Sequence, residues 1–160
     1  MEGCTTIPLT SKEVTPTVRF LKAVADEAQY LLLSHDVFNG DLAGSMQFAI
    51  IHGGMTGIVA KVDGGVVGNC IVSREGLEAS QHVGNVMVAV REDLRGLGIG
   101  GRMVEEAMKL SPCELFVAEC FAENVTSIFL FASLGYKQRG EMPKFIYKDK
   151  QFHTKIILST

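Results

Sequence analysis

The chain has no cysteine pair at metal-site spacing, no apolar run of membrane-spanning length, no basic stripe and no low-complexity tract. Each absence removes a class of protein. Its four cysteines, Cys4, Cys70, Cys113 and Cys120, are scattered along 160 residues. Structural zinc is held by ligands in closely spaced pairs, so no metal is expected. Without a run of about 20 apolar residues there is no membrane-spanning segment to expect. Fifteen Lys and Arg stand against 18 Asp and Glu, for a formal net charge of −3. A nucleic-acid binder concentrates positive charge, so nucleic acid is not an expected partner. A charge of −3 is also too small to select a cationic substrate. Glu2 stands where a secretory signal carries positive charge, and no apolar stretch follows it. A cytoplasmic protein with reduced thiols is therefore expected. Linkers and internal repeats are missing too, so the expectation is a single domain over residues 1–160.

What is present suits a globular chain: 47% hydrophobic and 21% charged residues. The spacing predicts a helix from about Pro16 to Leu33, capped by Thr15. Its recurrent apolar positions are Val18, Leu21, Val24 or Ala25, Ala28, and Leu31 or Leu32. A polar loop from Ser34 to Asp41, with His35, Asp36 and Asn39, leads to a shorter helix over Leu42–Ile51. The period then changes. Gly57–Val62 and Val66–Ser73 flank Asp63-Gly64-Gly65 as a hairpin. After a loop from Arg74 to Ser80, a third strand is expected over about Gln81–Val90. Further on, a strand over Glu114–Cys120 leads to a helix from Asn124 or Val125 to Leu134. Strands over about Tyr136–Tyr147 and Phe152–Leu158 end the chain. Strands mixed with helices imply an α/β chain of the mixed α+β kind, with a central mixed sheet carrying helices.

The most informative segment is Arg95-Gly96-Leu97-Gly98-Ile99-Gly100-Gly101. It follows the apolar run Val86-Met87-Val88-Ala89-Val90 and opens an amphipathic helix with Met103, Val104, Ala107, Met108 and Leu110 on one face. A strand, a glycine-dense turn and a helix make an anion site. Glycine lets backbone approach a phosphate, and free N–H groups point at it along the positive end of the helix dipole. A glycine turn alone also serves as a tight turn without a ligand. No Lys-Ser or Lys-Thr follows the glycines, and no repeated strand–helix unit is present, which excludes nucleoside-triphosphate and dinucleotide folds.

A second segment decides between these readings. Asn124 opens a helix that ends in Leu134-Gly135-Tyr136, with Gly135 just past its end. Together, Arg95, Gly98 and Gly100 after a strand, and Asn124 through Leu134-Gly135-Tyr136, resemble the GNAT superfamily of acyl-CoA-dependent N-acyltransferases. The likeness covers roughly residues 55–158. The resemblance implies a central mixed, splayed β-sheet flanked by helices on both faces. It implies acetyl-CoA as cosubstrate, with its pantetheine arm between the parted strands against the main chain of Val88, Ala89 and Val90. The pyrophosphate is then expected on Gly96, Leu97, Gly98, Ile99, Gly100 and Gly101, with Arg95 and Arg102 adding positive charge or simply solvated. Asn124, Ser127 and Phe131 are the expected contacts from the second segment, and Asn124 also serves as a helix cap. Dimers are frequent in the superfamily, so a homodimer is compatible with it.

The implied reaction is transfer of acetyl to a primary amine by direct attack in a ternary complex. A non-catalytic acyl-CoA-binding domain is the alternative. Transfer needs a proton acceptor for the amine, a donor for the developing negative charge, and benefits from an acid for the thiolate. Glu119 is the first candidate base, five residues before Asn124, where some members carry a catalytic Glu; the competing reading is a strand-end glutamate that faces water or pairs with a lysine. Glu123 suits the helix dipole without catalysis. His82 is the weaker alternative base. Phe131 stands where many members have a tyrosine acid and cannot donate a proton, leaving water, Ser127 or Tyr136 as substitutes. Cys120 beside Glu119 suggests an acyl-cysteine route, against the more common role of cysteine as a small buried hydrophobe. The acceptor amine itself is not readable: small molecules and protein N-termini both fit.

Overall fold

The computed structural model describes residues 3–27, 30, 31, 38 and 40–160. The elements are β1 (Cys4–Pro8), α1 (Ser11–Glu27), α2 (Leu42–Ile51), β2 (Met55–Val62), β3 (Gly65–Arg74) and β4 (Val83–Val90). They continue with α3 (Ile99–Leu110), β5 (Leu115–Phe121), α4 (Val125–Ser133), β6 (Lys137–Lys148) and β7 (Gln151–Ser159). The strands form one seven-stranded sheet in the order β1-β2-β3-β4-β5-β7-β6. Every neighbouring pair is antiparallel except β4 and β5.

The hairpin between β2 and β3 turns on Asp63 and Gly64, both at positive φ, which matches the strand twist. Asp63 is the non-glycine residue there, and aspartate tolerates that backbone region. Asp41 caps α2 by accepting the Gly44 N–H at 2.8 Å. Asn124 caps α4 in the same way, taking the Ser127 N–H at 3.2 Å.

Helices cover both faces of the sheet. On one face Val14, Leu21 and Val24 of α1 and Met46 of α2 pack on Val59, Ile71 and Ala89. On the other, Met103, Val104 and Ala107 of α3 and Phe131 of α4 pack on Val72, Val86, Ala118 and Cys120. Fully burying a side chain such as Met103 or Val104 contributes ~1.5–3 kcal/mol. No helix among the described residues is long and apolar enough to cross a membrane.

Four expectations are corrected. The helix α1 starts at Ser11, five residues before Pro16, because its buried stripe begins at Val14 and continues through Thr17, Leu21 and Val24. Tyr30 and Leu31 lie beyond its end, while Ala28, Leu32, Leu33, His35, Asp36 and Asn39 fall outside the described residues. The strand β1 was not expected. It is a short edge strand closed by Pro8, and its pairing with β2 is invisible in the local pattern. Leu110 is exposed rather than part of the buried face of α3. His82 precedes β4 instead of lying within it; its carbonyl accepts the Glu114 and Leu115 N–H groups.

Gly84 marks where β4 is pinned to β5. It pairs with Phe116, and a Cβ there would lie 2.6 Å from Val72 Cγ1 and 3.1 Å from Cys113 Sγ. Gly84→Ala overpacks this junction and is expected to cost ~1–3 kcal/mol, read as a lower urea midpoint at unchanged slope. An unchanged midpoint would show that the junction has room to spare.

Candidate active site between the parted strands

The parallel pairing of β4 and β5 runs from Val83↔Leu115 to Val86↔Ala118 and then stops. β4 continues to Val90, held by β3, and β5 continues to Phe121, held by β7. Past that point each strand follows a different neighbour, and a gap opens between them. The Arg91 N–H faces β3, donating to Val67 at 2.8 Å. Because strand groups alternate in direction, the backbone of Val90 and Val88 faces the gap. Those N–H and C=O groups have lost the partner strand that would have paired them.

This gap is the floor of a cleft of about 1200 Å³. One end is closed by the glycine turn and the start of α3. Gly98 sits at φ 77 as the N-cap and brings no side chain to cap the helix. The first N–H groups of α3 therefore have no intrahelical or side-chain partner, which is the arrangement that binds phosphate. Gly100 is buried against Leu130 of α4 and the side chains of Val88 and Val90. Arg95 closes the same end, its Nε donating to the Val90 carbonyl at 3.0 Å. Arg102 turns the other way, toward the Cys4 carbonyl (3.4 Å) and Glu106 (3.8 Å), and does not line the cleft. The exposed Leu97 side chain also lies outside it, beside Arg102 and Cys4.

The second wall comes from α4. Asn124, Ser127 and Phe131 all line the cleft. Phe131 is also core: it is 3% exposed and packs on the Tyr136 ring at 5.0 Å between centroids. Tyr136 lies behind it, outside the cleft lining, and donates its hydroxyl to Met108 Sδ at 3.4 Å. Burial, then the neighbouring Cys70, push its phenol well above the usual tyrosine range. Of the residues named as substitute acids, Ser127 reaches the cleft and Tyr136 does not.

Strand alternation sorts the rest of the lining. Val86, Ala118 and Cys120 face α3 and α4. Asn85, Met87 and Glu119 therefore face α1 and α2. Glu119 lines the cleft just past the last paired residue, Ala118, and its Oε1 accepts from Lys155 Nζ at 2.8 Å. Lys155 is 6% exposed and lies over the Phe145 ring, 3.7 Å from its centroid. A buried cation of this kind needs its carboxylate. Glu123 faces His153 at 3.3 Å. His82 is exposed and does not line the cleft.

Glu75 and Asn85 are among the polar residues of this lining that were not singled out from the sequence. Glu75, one residue past β3, accepts from Asn85 Nδ2 at 2.5 Å, and both line the cleft. Glu75 sits in a loop without a motif. Only the pairing of β3 with β4, which sets Ser73 opposite Asn85, brings it to the site.

With this geometry in place, the comparisons are consistent with one another. The chain belongs to the GNAT acetyltransferase family: the family's acetyltransferase (GNAT) domain matches residues 53–138. It is 30% identical over 95 residues to an uncharacterised N-acetyltransferase of Methanocaldococcus jannaschii, a stretch covering 57% of this chain. That stretch spans only 58% of the relative's own length. Among solved structures, the chain superposes on a GNAT-family acetyltransferase of Streptococcus pneumoniae with a TM-score of 0.86, at 16% identity over 98% of each chain. The yncA protein of Salmonella typhimurium, solved with its cofactor acetyl-CoA, gives a TM-score of 0.86 at 15% identity, over 98% of this chain and 92% of that one. At such identities these structural likenesses show the fold.

Cys120 lines the cleft on the α3 and α4 side, and its burial, then the charge of Glu119, push its thiol up to about 11. The sign is against a nucleophile, since a raised value keeps the neutral thiol at pH 8. Iodoacetamide at pH 8 is expected to label the half-buried Cys4 well before Cys120, measured by peptide mass spectrometry. Faster labelling of Cys120 would restore the acyl-cysteine route.

Proposed function

We propose that the protein is an N-acetyltransferase that moves the acetyl group of acetyl-CoA to a primary amine by direct attack. The observation that carries this reading is the parting of β4 and β5 after Val86 and Ala118, over a cleft that ends on the uncapped start of α3. The acyl-CoA thioester supplies an activated acetyl group. Everything else falls to the chain.

The residues present fit such a cosubstrate. Backbone donors of the glycine turn and of Ile99, Gly100 and Gly101 would hold the pyrophosphate, with Arg95 beside them. The gap-facing backbone of Val88 and Val90 would take the amide-bearing arm in place of the missing strand. A main-chain N–H of this strand is also the proposed donor to the carbonyl oxygen as charge develops there. Asn124 and Ser127 border the arm from α4, and Phe131 walls the thioester end. The acceptor enters from the face of α1 and α2, where Val24, Tyr30, Leu31, Ser73, Asn85 and Glu119 line the cleft.

The amine has to surrender a proton on that same face. Glu119 reaches the cleft where His82 does not, but Lys155 balances its charge. We propose that the pair's first task is to settle a buried lysine at the acyl end. Removing the carboxylate alone would leave that cation without its partner, at a cost lessened by solvent because the Glu119 side chain is 41% exposed.

Three experiments test the reading. Gly100→Val fills the space between α3 and the gap; its nearest neighbour is the far end of Leu130, 3.0 Å away, which can rotate aside. With the fold intact by circular dichroism, acetyl-CoA affinity is expected to fall at least tenfold by calorimetry, and unchanged affinity removes the phosphate from this turn. Free thiol released from acetyl-CoA in the presence of primary amines measures transfer itself. Tight binding without release across such a panel would instead favour a non-catalytic acyl-CoA-binding domain. Phe131→Tyr adds a hydroxyl at the wall of the cleft, and kcat is expected to change more than acetyl-CoA affinity. Equal changes in both would remove Phe131 from the acid's place.

A further inference from the structure

We propose that Glu75, oriented by Asn85, is the group that takes the proton from the acceptor amine. This rests on the acetyltransferase reading above and names the residue that reading leaves open.

The register places Glu75 there. Ser73 of β3 pairs with Asn85 of β4, and Asn85 pairs in turn with Val117 of β5. Ile71 of this series packs on the α1 and α2 side. Residues 71, 73 and 75 alternate onto that same face, as do 85 and 87 on β4 and 117 and 119 on β5. Ser73, Asn85, Met87 and Glu119 thus stand around the closed end of the gap, where β4 and β5 part, and Glu75, level with Val83, reaches them through Asn85; all five line one cleft. The Glu75 backbone is tied down by its N–H to the Val83 carbonyl at 3.1 Å. Its side chain is aimed by Asn85 Nδ2 at 2.5 Å. Arg74, the nearest cation in sequence, is turned away onto Gln81 and the Gly53 carbonyl.

The contrast with Glu119 decides between the two carboxylates. Glu119 is held by an ammonium, that of Lys155. An alkylammonium approaching it meets a like charge within a few ångströms, which is repulsive. Glu75 is held by a neutral amide, and no ion pair engages it among the described residues. One of its oxygens is oriented by Asn85 and the carboxylate keeps acceptor capacity toward the cleft. Glu75 therefore draws the cationic amine in, and the ammonium first gives one proton to solvent, which frees the nitrogen lone pair. Glu75 then accepts the second N–H proton as the nitrogen bonds to the acyl carbon and the C–S bond gives its electron pair to sulfur. The products are the amide, the thiolate of CoA and a protonated Glu75, which returns its proton to solvent or to the thiolate.

The test compares Glu75→Gln with Glu119→Gln, and with Glu119→Gln/Lys155→Met, which removes the stranded cation. In Glu75→Gln the side-chain amide keeps an oxygen for Asn85 and nearly the same volume, so the fold is retained. The probes are n-butylamine, 1,4-diaminobutane, glycinamide and a tetrapeptide beginning with alanine. With whichever is fastest for the unaltered protein, Glu75→Gln is expected to lower kcat by ~10²-fold or more. Acetyl-CoA affinity by calorimetry should be unchanged. Binding of the same amine to the CoA-loaded protein, also by calorimetry, should weaken at least tenfold. Asn85→Ala, as the positioning change, should lower kcat while leaving the KM for acetyl-CoA alone. The double variant should lose less kcat than Glu75→Gln, while Glu119→Gln alone should unfold at a lower temperature than the unaltered protein. Normal kcat in Glu75→Gln, or a 10²-fold loss in the double variant instead, overturns the proposal while leaving the acetyltransferase reading standing. An unaltered protein that binds acetyl-CoA and transfers to none of the four amines overturns both.

Discussion

The parallel pairing of β4 with β5, and its end after four residue pairs, is the constraint on which the rest of the site depends. A strand that loses its neighbour normally exposes backbone to be capped or covered. Here both strands stay ordered because each has a second partner, β3 on one side and β7 on the other. The unpaired edges therefore persist as a slot lined by fixed donors and acceptors. Gly84, crowded by Val72 and Cys113, holds the closed end together. The helices α3 and α4 pack over one face of the slot and α1 and α2 over the other, so the cleft has two differently furnished sides.

Those two sides divide the chemistry. The α3 and α4 side supplies the glycine turn, the uncapped helix start and the apolar wall with Phe131 and Cys120. Burial keeps Cys120, and Tyr136 behind the lining, in their neutral forms. The α1 and α2 side carries Glu75, Asn85, Glu119 and Ser73. Glu75 and Glu119 thus stand on one side of the slot and the apolar wall of Phe131 and Cys120 on the other.

Much of the site was legible in the sequence because it is local. The order strand, glycine turn, amphipathic helix is fixed by neighbours a few residues apart, and so is Asn124 as the cap of α4. Val88, Ala89 and Val90 were named through the family resemblance, and only the pairing of β4 with β3 sorts them, turning the backbone of Val88 and Val90 to the gap. Other parts were not local. The edge strand β1 has too short a pattern to announce itself. The start of α1 was misplaced because Pro16 resembles a first-turn residue, while the buried stripe begins upstream of it at Val14. Leu97 and Arg102 belong to the right segment but point away from the cleft, because they sit on the outer side of the turn that Gly98 makes.

The sequence by itself determined the family, the element order over most of the chain and the backbone half of the candidate site, since turn geometry and helix starts depend on residues adjacent in the chain. Only the tertiary structure decided which side chains share the cleft. Glu119 and Lys155 are 36 residues apart and meet because β5 pairs with β7. Glu75 and Asn85 meet because β3 pairs with β4. His82, adjacent in sequence to the strand that carries the site, is left outside because it precedes the first paired residue of β4. The physical reason is that a side chain's partners are set by strand register and face, and register is settled by burial across the whole sheet rather than by any local run of residues.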